Sequence, residues 1–247
     1  MRGAVVVGKN AHVIAMPSDL LMPTGIKSLD KVLGGGLPVA GNVLLLGDPL
    51  CGKKPMMMQF LYEGLKMNIP GIFVLTDFGF SEWKSMMGGS GWDISEYEKN
   101  GLLQIIDCYS KSFDAGLQDE GIVAYTSGSD LSEISMQLTG LQGQIMQIAD
   151  NHRLGIHSLS SLLETNPPET VYRFLQFTTG KFRRAGATAM YALEKGMHDE
   201  KDEKMVEHLM DCVFEFNEDS MRIRGLQGVP QTWHKYQIGD KGIVISP

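Results

Sequence analysis

The chain has 247 residues, a formal net charge of −7 and 43% hydrophobic residues, enough to bury one large core. The acidic balance argues against a protein whose main work is gripping a phosphate backbone, although it leaves room for a local basic groove. Three widely spaced cysteines, Cys51, Cys108 and Cys212, contain no C-x-x-C pair and suggest neither a disulfide framework nor a cysteine zinc site; a reducing cytosol is expected.

Near the start, Ala4-Val-Val-Val7 is too short for a signal segment or a membrane span, so a cytoplasmic protein with no membrane partner is expected. Residues 1–22 are read as an N-terminal extension packing on the core, and 23–247 as one domain. Gly41 to Gly47 reads as an apolar strand and Met56 to Leu65 as a helix with apolar residues at helical spacing. Gly71 to Asp77 is a second strand, ending on a carboxylate. Ser81 to Met87 reads as a helix with Ser81 as its cap, and Gly101 to Asp107 as a third strand. Leu131 to Ala149 is a long amphipathic helix, Leu154 to His157 a fourth strand, and Pro167 and Pro168 open a helix running from about Glu169 to Ala185. Ala187 to Leu193 is a fifth strand and Val206 to Met210 a short helix. Cys212–Phe216 and Met221–Arg224 form a hairpin through Asn217 to Ser220, and Gly242 to Pro247 is a last edge strand. Strands alternating with helices predict an α/β protein with a mostly parallel sheet covered by helices.

Between the first strand and helix stands Gly47-Asp48-Pro49-Leu50-Cys51-Gly52-Lys53-Lys54, which fits the phosphate-loop pattern G-x-x-x-x-G-K-[ST] at every position but the last. Glycines let backbone N–H groups point at phosphates, Lys53 reaches the outer phosphates, and the final hydroxyl ordinarily holds Mg²⁺. Here that hydroxyl is replaced by the ammonium of Lys54. Pro55 then removes a backbone N–H from the first helical turn while remaining sterically comfortable there.

Pro23-Thr-Gly-Ile-Lys-Ser-Leu-Asp30 followed by Leu33-Gly-Gly-Gly-Leu-Pro38, just ahead of this loop, resembles the opening signature of archaeal-type KaiC-like proteins in the RecA superfamily. The resemblance continues through Phe60-Leu-Tyr-Glu-Gly64, Gly91-Trp-Asp93, His157-Ser-Leu-Ser160, Ala185-Gly-Ala-Thr188 and Ile238-Gly-Asp-Lys-Gly-Ile243. It implies a three-layer RecA-type fold with helices on both faces of the sheet and a C-terminal antiparallel hairpin. It also implies ATP as ligand and a homo-oligomer, or an assembly with a related subunit, with nucleotide sites between subunits. In such ATPases the strand ending near residue 157 carries an aspartate that positions Mg²⁺ through water; here it is His157, a poor magnesium partner. Asp77 stays where the family polarises the attacking water, with Phe78 in place of a second acid. Arg222 and Arg224 lie where family members offer basic residues to a neighbour's phosphate.

Both metal-handling positions have thus changed, and each lost electrostatic partner typically costs ~10²–10³ in rate. The expectation is a nucleotide-sensing or scaffold protein with hydrolysis weak or lost, using ATP but not holding Mg²⁺. Such a protein works by assembling with itself or with a protein partner; the alternatives are a working ATPase, with Asp77 activating water and Lys53 and Arg224 holding phosphates, and a ligand-free interaction module. Lys54 has two readings: a fixed counter-charge for phosphate, or a partner for Asp48 or a nearby carboxylate that closes an empty loop. His157 is read as a buried histidine hydrogen-bonded to backbone, and no metal site is expected, since the histidines show no H-E-x-x-H spacing. Arg222 and Arg224 are read either as acting on a neighbour's phosphate or as outward charges of a solvated hairpin. The segments 164–169 and 194–204 lack the basic and aromatic excess of a single-strand funnel, so nucleic acid is not an expected partner, and the second is read as a solvated loop. Met56, Met57 and Met58 are read as flexible core filler.

Overall fold

A computed structural model describes residues 21–246. In chain order the elements are β1 (Leu21–Met22), α1 (Lys27–Val32), β2 (Leu37–Pro38), β3 (Asn42–Gly47), α2 (Lys53–Lys66), β4 (Gly71–Leu75), α3 (Phe80–Gly89), α4 (Ser95–Asn100) and β5 (Leu103–Asp107). There follow β6 (Val123–Tyr125), α5 (Leu131–Ile145), β7 (His152–His157), α6 (Leu159–Thr165), α7 (Pro168–Arg184), β8 (Ala187–Glu194) and α8 (Glu200–Glu207). The chain closes with β9 (Cys212–Asn217), β10 (Ser220–Arg224), β11 (His234–Gly239) and β12 (Gly242–Ile245).

Strands β3, β4 and β7 are buried along their whole length, as parallel strands covered on both faces must be. They lie inside a ten-stranded sheet of order β12-β11-β10-β9-β3-β8-β7-β4-β5-β6. Pairing is parallel from β9 to β6 and antiparallel from β9 out to β12. Along β3 the side chains alternate between two cores. Val43 and Leu45 face one with α1, α2 and α3, while Leu44 and Leu46 face the other with α5, α6 and α7. The three predicted layers are all present, and Met56, Met57 and Met58 are core filler as expected.

Several predicted boundaries move. Ser81 does not cap α3, because Gly79 holds the N-cap position and the helix begins at Phe80. Helix α5 ends at Ile145 rather than Ala149. The helix predicted at 206–210 instead spans Glu200–Glu207, so residues 200–204 of the expected solvated loop are helical; Glu200, Asp202 and Glu203 suit the positive end of its dipole. Of the predicted N-terminal extension only Leu21 and Met22 fall within the described residues, and they pair with Pro38 and Leu37. No helix among the described residues is long and apolar enough to cross a membrane.

One buried charge ties the opening segment to the sheet. Arg153 on β7 is fully buried, donates to the carbonyls of Pro23, Thr24 and Phe60, and lies 4.4 Å from the Phe60 ring centre. Gly64 on α2 makes room for it: a Cβ there would collide with the Arg153 side chain.

Candidate functional site

The phosphate loop is shaped from both ends. A Cβ on Gly47 would sit 2.6 Å from Phe216 Cβ and 2.9 Å from Cys51 Sγ, and Gly52 has φ +104°, so both positions favour glycine. Asp48, Pro49 and Leu50 form the exposed tip, with Leu50 98% exposed and at φ +64°. Behind the loop, Tyr236 of β11 donates to the Cys51 carbonyl, and Gln59 of α2 accepts from the Ile243 amide at 2.8 Å. The Cys51 thiol is pushed above its ordinary pKa by burial, although Lys53 beside it acts in the opposite direction.

Lys53 is only 3% exposed and turns inward. Its Nζ donates to Gly47 O at 2.7 Å, Asp48 O at 2.6 Å and Glu194 Oε2 at 2.7 Å. In the sequence Glu194 stands out only as one charge of the segment 194–204. It is the last residue of β8, in register with Gly47 across the parallel pair. Like Asp77, it is a carboxylate at the end of an apolar strand, and that is the sequence signal that marks it.

Lys54 takes the opposite direction. Its Nζ lies 4.0 Å from the centre of the Phe78 ring and makes no ion pair among the described residues, so the predicted Lys54–Asp48 pairing does not occur. Phe78 also lies 5.4 Å from the His157 ring. His157 is buried at the end of β7, and its Nδ1 contacts Asp77 Oδ1 at 3.0 Å. The partner is therefore a carboxylate and not the expected backbone group. Leu75 pairs with His157 across β4 and β7, which brings the residues just past the β4 end alongside the imidazole. No group of three or more potential metal-ligating His, Cys, Asp or Glu residues occurs among the described residues.

Asp77 also lines a cleft of about 430 Å³ beyond the carboxyl ends of β4, β5, β6 and β7, with Thr76, Tyr109, Ser127, Ser161 and Thr165 among its walls. Asp107, fully buried at the end of β5, fixes one side of it. Its carboxylate accepts from the amides of Phe80 (2.8 Å), Tyr109 (3.0 Å) and Ser110 (2.8 Å) and from the Ser110 hydroxyl (2.7 Å). Asp107→Asn places an amide NH₂ against some of these donors and should cost ~2 kcal/mol, read as a lower urea midpoint; an unchanged midpoint would show the bonds to be dispensable.

Arg222 and Arg224 both turn towards acids of their own chain. Arg222 Nη2 lies 2.7 Å from Glu215 Oε2, and its guanidinium stacks 4.7 Å from the Trp233 ring centre. Arg224 lies within 3.2 Å of Glu215 and 3.3 Å of Glu207, and Lys195 approaches Glu215 from the other side at 2.9 Å. Burial pushes the Glu215 carboxyl up, but the hydrogen bonds from Lys195 and Arg222 outweigh it and hold the group below its ordinary pKa.

A family model described as "ATPase: KaiC" matches residues 22–247 of this chain. UPF0273 protein MK0039 of Methanopyrus kandleri is 28% identical, with 91% of each chain covered. UPF0273 protein PH0284 of Pyrococcus horikoshii is 27% identical, with 91% of this chain and 93% of the relative covered. Among solved structures, the KaiC-like protein PH0186 from Pyrococcus horikoshii superposes with a TM-score of 0.74 at 22% identity, covering 92% of this chain and 99% of the other.

Proposed function

This chain belongs to the KaiC family of RecA-fold ATPases, and from that premise we propose that its phosphate loop takes ATP without a divalent cation and works as a sensing or scaffold site, with hydrolysis weak or lost. The observation that carries the proposal is the position of Lys54. Its ammonium is half-buried, has no carboxylate partner among the described residues, and rests on an aromatic face beside the loop. A cation–π contact of this kind is worth about 0.5–2 kcal/mol. A phosphate charge ~4 Å away at an effective dielectric near 20 attracts an ammonium by about 4 kcal/mol. Bound phosphate therefore wins over Phe78, and the side chain is free to turn to it.

The pair behind Phe78 supports the same reading. A magnesium-dependent site needs a carboxylate where His157 stands, and Asp77 already faces that imidazole. Phosphoryl transfer relies on a metal to neutralise developing charge, and one absent partner of that type costs ~10²–10³ in rate. The proposal extends to a cytoplasmic protein that assembles with copies of itself or with a related subunit, for which the family resemblance is the support.

Calorimetric titration with ATP, in EDTA and in Mg²⁺, tests the central claim. The unaltered chain is expected to bind equally in both. Lys54→Thr should lose about tenfold in affinity in EDTA and recover part of it with Mg²⁺. Binding by the unaltered chain only when Mg²⁺ is present, or Mg²⁺-stimulated turnover abolished by Lys53→Ala, would overturn it in favour of a working ATPase. A complete lack of ATP binding would leave an interaction module.

A further inference from the structure

An ammonium has three N–H bonds to give. Lys53 spends its three on Gly47 O, Asp48 O and Glu194 Oε2, all within 2.7 Å, and Cys51 Sγ stands 3.4 Å away. An incoming phosphate must therefore displace at least one of these acceptors. Two are neutral carbonyls; Glu194 alone is an anion. Its backbone has little room to move: the Glu194 amide donates to Ser160 Oγ at 2.9 Å, and the next amide, of Lys195, donates to Gly47 O at 3.0 Å. Only the side chain, 18% exposed, can swing aside.

We infer that Glu194 is a selectivity gate on the phosphate loop, an internal anion that occupies Lys53 and yields only to a polyphosphate. The inference rests on the nucleotide reading above and adds what decides which phosphates enter. A singly or doubly charged monophosphate exchanges one anion for another at Lys53 and leaves the displaced carboxylate beside the newcomer, so it gains little. A di- or triphosphate carries further oxygens to the loop N–H groups and to Lys54, neither of which Glu194 occupies, and that surplus drives the exchange.

The test is a set of titrations in EDTA with orthophosphate, tripolyphosphate, AMP, ADP and ATP, on the unaltered chain and on Glu194→Gln. The unaltered chain should rank ATP and tripolyphosphate first, ADP next, and AMP and orthophosphate far behind. Glu194→Gln should bind ATP about tenfold more tightly and narrow the gap between triphosphate and monophosphate by a similar factor. Amine acylation read by mass spectrometry, without any ligand, should label Lys53 faster in the variant. ATP bound equally or less tightly by a Glu194→Gln protein with unaltered thermal unfolding overturns the gate while the nucleotide reading stands. Binding of no phosphate compound by either protein overturns both. Should the variant not fold, the unaltered chain still decides: tripolyphosphate must change Lys53 labelling at concentrations where orthophosphate does not, and equal response to the two refutes the gate.

Discussion

Arg153→Ala is expected to lower the unfolding free energy by ~3–5 kcal/mol, read as a large fall in the urea midpoint. Removing the guanidinium strands the carbonyls of Pro23 and Thr24, while that of Phe60 keeps its partner within α2, and a buried acceptor left without a partner costs ~1–3 kcal/mol. The cavity beside Gly64 and the lost stacking on Phe60 add to this. Burial pulls the Arg153 pKa down to about 10, which still leaves it charged at neutral pH. Arg153→Lys should rescue little, because an ammonium cannot reproduce the planar fork or the stacked ring contact. An alanine variant within 1 kcal/mol of the parent would show that these carbonyls find other partners.

The residue before it, His152, should make the fold acid-labile. Its ring is fully buried and contacts Gln142 Nε2 at 3.3 Å, and desolvation lowers its pKa to about 4, against 6.5 for a free imidazole. Below pH 6.5 the unfolded chain takes up a proton that the folded chain refuses, so stability is full above that pH and drains as the pH falls towards 4. A gap of that size is worth about 3 kcal/mol. Chemical denaturation at a series of pH values should show the decline, and His152→Gln should be flatter over the same interval by about that amount. Equal slopes for the two proteins would mean that His152 accepts its proton without unfolding.

The parts legible in the sequence are those whose signals are local. The strand–loop–helix around Gly47 to Lys53 is specified by one motif and two periodicities, and β7, β8 and the β9–β10 hairpin by apolar runs between turns. Strand β11 leaves little pattern in the sequence because Tyr236 is its one buried side chain, and β6 because it has three residues. Pairings between distant segments were beyond reach: Lys53 and Glu194 lie 141 positions apart and meet only through the parallel register of β3 and β8. Asp77 and His157 each stand out in the sequence, yet their contact depends on β4 lying next to β7. Lys54 invites comparison with phosphates and carboxylates, and nothing local in the sequence points its ammonium to the aromatic face of Phe78. The intrachain partner of Arg222 is within reach of the sequence. Once the hairpin is predicted, its cross-strand partner follows from the turn, and that partner is Glu215.

The tether on Lys54 has a chemical corollary. A cation joined to the backbone has no dissociation equilibrium, so chelators cannot strip it and ionic fluctuations cannot dilute it. A loop served by a free divalent ion answers to the product of two concentrations. Under the proposed function the loop is served by Lys54, held beside Phe78, and would answer to a single concentration, that of the phosphate compound itself.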